Sequence, residues 1–153
     1  MLRRTLPACL LLVTCLGTAL PGLCEPSPGE LERVLLERIN AHRASRRLPP
    51  LVLDERLTAA ARLHSAAMAS GQAPFGHSRF ARSLGSAGEN VAMNQGYAEP
   101  DLQAFSDWLT SPPHRRNLEG NRRLTGVGIA RSEEGEYYFT QIFAPAPLLQ
   151  ARR

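Results

Sequence analysis

"LTGVGIARSEEGEYYFTQIFA", residues 124–144, decides how this chain is put together. Two runs rich in β-branched and aromatic residues, "LTGVGIARS" and "EYYFTQIFA", flank "EEG", which is the pattern of a hairpin. The hairpin comes last, after segments with helical periodicity, so strands and helices do not alternate. That order argues against a doubly wound parallel sheet and for an α+β domain, with helices packed on a small, mostly antiparallel sheet. "TGVGIA" is not a phosphate-binding loop either. It lacks the third glycine and precedes a hairpin instead of opening a helix.

Working outward, "EPDLQAFSDWLTS" (99–111) predicts a helix with Pro100 in its first turn and Leu102, Phe105 and Leu109 on one face, near Trp108. "PPHRRNLEGN" after it reads as a corner with a short helix. "ENVAMNQGY" (89–97) reads as a short strand, and residues 72–88 as a loop with one helical turn. Upstream, "LDERLTAAARLHSAAMASG" (53–71) predicts a helix capped by Asp54 and stopped at Gly71. Its apolar stripe is Leu57, Ala60, Ala61, His64, Ala67 and Met68. "LERVLLERINAHRASRR" (31–47) predicts another, with Leu31, Val34, Leu35, Ile39 and His42 recurring at helical spacing. "LPPL" separates the two.

The N-terminus has the layout of a secretory signal peptide: basic "MLRR", then the apolar run "LPACLLLVTCLGTALPGLC" ending in small residues. Cleavage is expected after Ala19 or Cys24. Leu23 is too large for the position before a lipidated cysteine, so lipidation of Cys24 is not the expected reading. The domains follow as a signal peptide (1–24), a spacer (25–29), one folded domain (30–146) and a loose tail (147–153). Cys9, Cys15 and Cys24 all fall in the leader, which leaves the folded part no disulfide and no thiolate chemistry. A secreted or periplasmic monomer without a transmembrane anchor is expected. The 18 cations are all arginine, and losing Arg3 and Arg4 lowers the net charge from +4 to about +2. The arginines are scattered between acids along the sequence, so no nucleic-acid partner is expected.

Four histidines bear on chemistry. His42 and His64 lie on helix faces among apolar positions and read as structural, each bonding a local partner. His77 in "FGHS" and His114 in "SPPH" sit in loops beside residues that constrain the backbone. "AGENVA" presents Glu89 between Gly88 and Asn90 in a third. Two imidazoles and a carboxylate suit a zinc or other divalent site with an open position, or a general-base pair without metal. No H-E-x-x-H supports the metal form, and His77 and His114 are 37 residues apart. No G-x-S-x-G supports a serine nucleophile, and Ser78 and Ser111 are only sequence neighbours of the histidines.

The segments "LLERINAHRASRRLPPLVLDERLTAAARLHSAAMA", "FGHS", "GENVA", "WLTSPPHRRNL", "TGVGIA" and "YYFTQIFA", taken in order, cover about residues 30–144. Together the set resembles the CAP superfamily, named for cysteine-rich secretory, antigen 5 and pathogenesis-related proteins and also called the SCP domain. The compact bacterial branch is most similar. The resemblance implies a three-layer α-β-α sandwich and a central cleft lined by two histidines and two acids. "GHS" then supplies His77, "GEN" supplies Glu89 and "SPPHR" supplies His114. The second acid is missing, because Ser111 stands in its place and Asp107 points elsewhere on its helix. The family's disulfides are missing as well. Members are variously described as lipid binders, cell-wall or defence proteins, and proteases.

Three functions are therefore open. The first is a binding module, not an enzyme, whose cleft at His77, Glu89 and His114, with Asn90 and Ser111 nearby, takes a divalent cation or a small polar ligand. The second is a metal-assisted hydrolase of peptide or cell-wall bonds, with His77 and His114 as zinc ligands and Glu89 as general base. The third is a lipid-binding protein using an apolar groove lined by Phe75, Phe80 and Met93.

Overall fold

The computed structural model describes residues 25–79, 81–84, 86 and 88–145. The leader, Phe80 and the tail lie outside the described residues.

Helix α1 spans Pro28–Ser45 and begins inside the stretch that reads as a spacer. Ser27 starts it. Its hydroxyl accepts from the Glu30 N–H, and the Glu30 carboxylate accepts from the Ser27 N–H, which closes a capping box. Leu31, Leu35 and Ile39 are buried as the periodicity predicts. Their row continues not to His42 but to Arg43, which is fully buried. Strand β1, Val52–Leu53, is a two-residue element that the sequence does not announce. It takes Leu53 from the predicted second helix, so α2 spans Glu55–Ala69. Asp54 caps α2 by accepting from the Arg56 and Leu57 N–H groups, 3.0 Å each. Gly71, at φ +71°, ends it.

Strand β2 is Gly88–Asn94, shorter than predicted, and helix α3 is Pro100–Thr110. The buried face of α3 is Asp101, Ala104 and Trp108, with Phe105 and Leu109 at its margin. Leu102 is turned outward, contrary to the predicted face. The Pro-Pro corner is a helix start. Helix α4, Pro112–Glu119, carries both prolines in its first turn, where a missing N–H costs no hydrogen bond. Strands β3, Leu124–Arg131, and β4, Tyr137–Ala144, form the hairpin.

The sheet order is β1-β3-β4-β2. The two pairings made by β4 are antiparallel, and only β1–β3 is parallel. Helix α2 covers one face, over β3 and β4. Helices α1, α3 and α4 form the layer on the other face, which gives the α-β-α sandwich. Side chains alternate accordingly. Val127, Ile129, Phe139 and Phe143 join Leu35, Ile39, Trp108 and Leu118 in the larger core, and Ile142 and Ala144 pack with Leu57 and Ala61 in the smaller. The glycines of "TGVG" now have a reason. A Cβ at Gly126 would stand 2.1 Å from the Leu57 carbonyl carbon, and one at Gly128 would stand 2.1 Å from the Arg62 nitrogen. The α2 backbone therefore lies directly on β3. The Ser65 hydroxyl seals this contact, donating to Gly128 O at 2.8 Å and sharing a hydrogen bond with the Thr140 hydroxyl at 2.9 Å.

Candidate functional site

Strand β2 is a sheet edge, and the site is built around its first residues. Directly opposed residues on paired strands share a face, so Glu89, opposite Ile142, points to the α2 side. Asn90 points to the other side, towards α4. His77 comes from the loop after α2 and His114 from the first turn of α4. The two layers thus each send one imidazole to the same edge, and the ring centroids lie 6.4 Å apart at 48°.

Glu89 is the best-held group of the site. Its Oε2 accepts from His77 Nδ1 and the Ser78 N–H, both at 2.9 Å, and its Oε1 accepts from the Ser78 hydroxyl at 2.6 Å. The side chain is 7% exposed, against 59% for His77. A carboxylate can only accept here, so Nδ1 of neutral His77 carries the proton and Nε2 keeps a lone pair. His64 steadies the loop, because its Nε2 donates to Gly76 O at 2.8 Å. It is structural, as read from the sequence. So is His42, whose Nε2 lies 3.0 Å from Glu119 and whose ring meets Phe105 edge-on.

Asn90 is fully buried and does not face the cleft. Its amide donates to His114 O at 3.2 Å and accepts from Asn117 Nδ2 at 2.9 Å. Asn117 also donates to Glu89 O at 3.1 Å, and Trp108 Nε1 donates to Val91 O at 3.0 Å. Those two carbonyls belong to the open edge of β2, so side chains from α3 and α4 cover what a further strand would cover. This fixes α4, and His114 with it. Ser78 and Asn117 are the residues that the sequence does not mark. Ser78 reads there only as a sequence neighbour of His77, and nothing in "HRRNLE" singles out Asn117 as a strand-edge partner. Ser111 precedes α4 as a half-buried cap residue without a side-chain capping bond. Asp107 accepts from Gln103 on its own helix and stays away from the cleft.

His77, Ser78, Arg79, Ala81, Ser86, Gly88 and Glu89 line an open cleft of about 720 Å³, and His114 meets the His77 ring outside that lining. Burial, and then the repulsion it would meet from His77 were both rings protonated, hold the His114 imidazole below its ordinary value of 6.5, so it is neutral near pH 7. The donors open to a cation are thus two imidazoles. Among the described residues no group of three or more His, Cys, Asp and Glu is placed to hold a metal. With Zn–N bonds of about 2.0–2.1 Å, a tetrahedral ion puts two imidazole centroids about 5.2 Å apart. The rings would have to close by about 1 Å to share one ion. Two neutral imidazoles are a sparse donor set, and any further ligands would have to come from water or from a bound molecule. Phe75 and Met93 are half-exposed and meet at Tyr138, Phe75 by a ring contact at 6.5 Å and Met93 by its place opposite in the ladder. Among the described residues no helix is long and apolar enough to cross a membrane.

Comparisons with known proteins agree with this architecture. Residues 36–143 match the model of the CAP, cysteine-rich secretory protein, family. The uncharacterized protein YkwD of Bacillus subtilis (strain 168) is 31% identical over 121 residues, covering 72% of this chain and 46% of that protein. The chain thus spans less than half the length of this curated relative. An outer surface protein from Borrelia burgdorferi superposes with a TM-score of 0.63 at 17% identity, over 78% of this chain and 96% of that one. The structure of NaASP2 with Zn2+ gives 0.62 at 18% identity, over 80% and 84%. The family match runs from α1 to the end of the hairpin, and the solved structures share the sandwich fold: the chain is a member of the CAP, or cysteine-rich secretory protein, family.

Proposed function

We propose that this chain is a secreted binding module whose cleft holds a divalent cation or the polar group of a small ligand on His77 and His114, without turnover. The observation that carries this reading is Glu89. Its carboxylate accepts three hydrogen bonds at 7% exposure, so it orients His77 and is not free to serve as a base towards water. A carboxylate that takes the far ring proton of a histidine fixes the tautomer that metal ligation requires and raises the basicity of the free nitrogen. The lowered proton affinity of His114 keeps a second lone pair available. A cation held there would supply Lewis acidity to a ligand oxygen. Secretion is supported by the leader sequence and by a family named for secretory proteins.

The hydrolase reading keeps one observation in its favour, in altered form. His77 Nε2, backed by Glu89, is the proton acceptor, and Glu89 is not. Calorimetry with zinc chloride on residues 25–153 tests the proposal. Heat is expected in the parent chain and is lost in His114→Ala. Casein and peptidoglycan should be left intact. Degradation that disappears in both His77→Gln and Glu89→Gln would establish the hydrolase instead. Absence of zinc heat would remove the cation.

A further inference from the structure

Most polar side chains lining the imidazole cleft have partners, and two groups are left over. Glu89 accepts its hydrogen bonds from His77 and Ser78. The Ser78 hydroxyl also accepts from the Ala81 N–H, and the Ser86 hydroxyl donates to Gly88 O and accepts from the Gly88 N–H. Arg79 is exposed and lines the same cleft, and among the described residues its guanidinium has no ion pair or hydrogen bond. The other unused group is the Nε2 lone pair of the exposed His77 ring. The charge around them is one-sided. Residues 70–88 and 111–117, which deliver the two imidazoles, contain arginine but no acid. The end of β4 beside them, residues 141–144, is uncharged, and residues 63–69 of α2 hold no acid. Glu89 is the acid of the cleft itself. In the last turns of α3 and α4, Asp107 is engaged by Gln103, and Glu119 by His42 and Arg46.

We infer that the cleft binds the free carboxyl terminus of a peptide, with Arg79 gripping the carboxylate and His77 Nε2 accepting the amide N–H beside it. The inference rests on the binding-module reading and names the polar group that the reading leaves open. Charge and hydrogen-bond complementarity carry it. The unused groups are a cation and an acceptor, so the ligand that satisfies both is an anion with a donor close by. A planar guanidinium fork matches the two oxygens of a carboxylate. One positive charge balances one negative charge, and a second negative charge on the ligand would stand against Glu89. Glu89 also sets the acceptor, because it takes the Nδ1 proton and leaves Nε2 with its lone pair. Arg79 and His77 are two residues apart on one loop. In a peptide terminus the carboxylate and the N–H are attached to the same carbon, so one residue of ligand meets both. The cleft, at about 720 Å³, leaves room for the residues that precede it.

The experiment uses the chain from residue 25 to 153, free of metal, and three probes of one shape followed by proton–nitrogen spectra. They are N-acetylglycine, its neutral amide N-acetylglycinamide, and 4-oxopentanoate, in which a methylene replaces the N–H. N-acetylglycine should bind about tenfold more tightly than the amide and about fivefold more tightly than 4-oxopentanoate, and should shift the Arg79 Nε–H and the His77 ring. In Arg79→Gln the preference over the amide should vanish, and in His77→Gln the preference over 4-oxopentanoate. Thermal melts establish that both variants fold. No binding of N-acetylglycine by the parent, shifts confined to Arg115 and Arg116, or a preference over the amide that survives Arg79→Gln overturns the inference. Equal binding of N-acetylglycine and 4-oxopentanoate overturns it too, because any carboxylate would then serve. Zinc heat without a carboxylate preference removes this inference and leaves the binding module standing. A carboxylate preference without zinc heat keeps the inference and removes the cation.

Discussion

Gly128→Ala tests the close seat of α2 on β3, which sets where the His77 loop leaves the helix. A Cβ at position 128 would lie 2.1 Å from Arg62 N, 2.2 Å from the Ala61 carbonyl carbon and 2.5 Å from its oxygen. These are backbone atoms of a helix and cannot rotate away. To restore ordinary contact near 3.4 Å, the helix must retreat by about 1.3 Å. Such a retreat stretches the Ser65 contacts with Gly128 O and Thr140 and the Arg62 bond to Glu32. Overpacking of this kind costs about 1–3 kcal/mol. Two weakened buried hydrogen bonds add about 0.5–1.5 kcal/mol each. The sum is about 2–6 kcal/mol, a large share of a typical domain's stability, and corresponds to a fall in Tm of about 8–24 °C. Urea unfolding followed by far-UV circular dichroism measures it. A loss under about 1 kcal/mol with an unchanged slope would refute the packing argument.

Three further outcomes follow from the same geometry. Glu89→Gln leaves one oxygen for three donors and should cost about 1–3 kcal/mol in chemical unfolding, while releasing the His77 tautomer. Arg43→Met leaves four carbonyls without their donor, at the join of α1, α4 and β3, and should cost about 3 kcal/mol or more in the same assay. His114 titrates below 6.5 in the folded chain, chiefly through burial and then through His77, so the unfolded chain takes its proton first as the pH falls. Stability should therefore be full above about pH 6.5 and decline towards the lower folded value, and His114→Gln should flatten that part of the curve.

The sequence made the fold legible where patterns are local. The helical stripes, the Asp54 cap, the "EEG" turn and the late hairpin depend on neighbours a few residues apart. The two-residue β1 does not, because its pairing with Leu124 and Thr125 comes from distant chain and not from its own composition. Glu32 and Arg43 were invisible for a related reason. Each occupies a buried position on α1 outside the stripe read from the periodicity, and only the fold supplies its partners: Arg62 and Ile129 for one, four carbonyls for the other. Of the site, the three main residues were readable from the motifs "GHS", "GEN" and "SPPHR". Their division of labour was not. Whether Glu89 is a base, a ligand or an orienting group depends on the Ser78 hydroxyl and N–H, a contact across β2 that spacing does not encode.

The central claim is that Glu89 fixes the Nδ1-protonated form of His77 and leaves its Nε2 to share a ligand with His114. Long-range proton–nitrogen spectra of the imidazoles during a zinc titration test it most directly. The account predicts the Nδ1–H tautomer of His77 before zinc, then joint shifts of His77 Nε2 and a His114 ring nitrogen at one zinc per chain, with His42 and His64 unmoved. An Nε2–H tautomer in the free protein, or zinc shifts confined to His42 or His64, would contradict it.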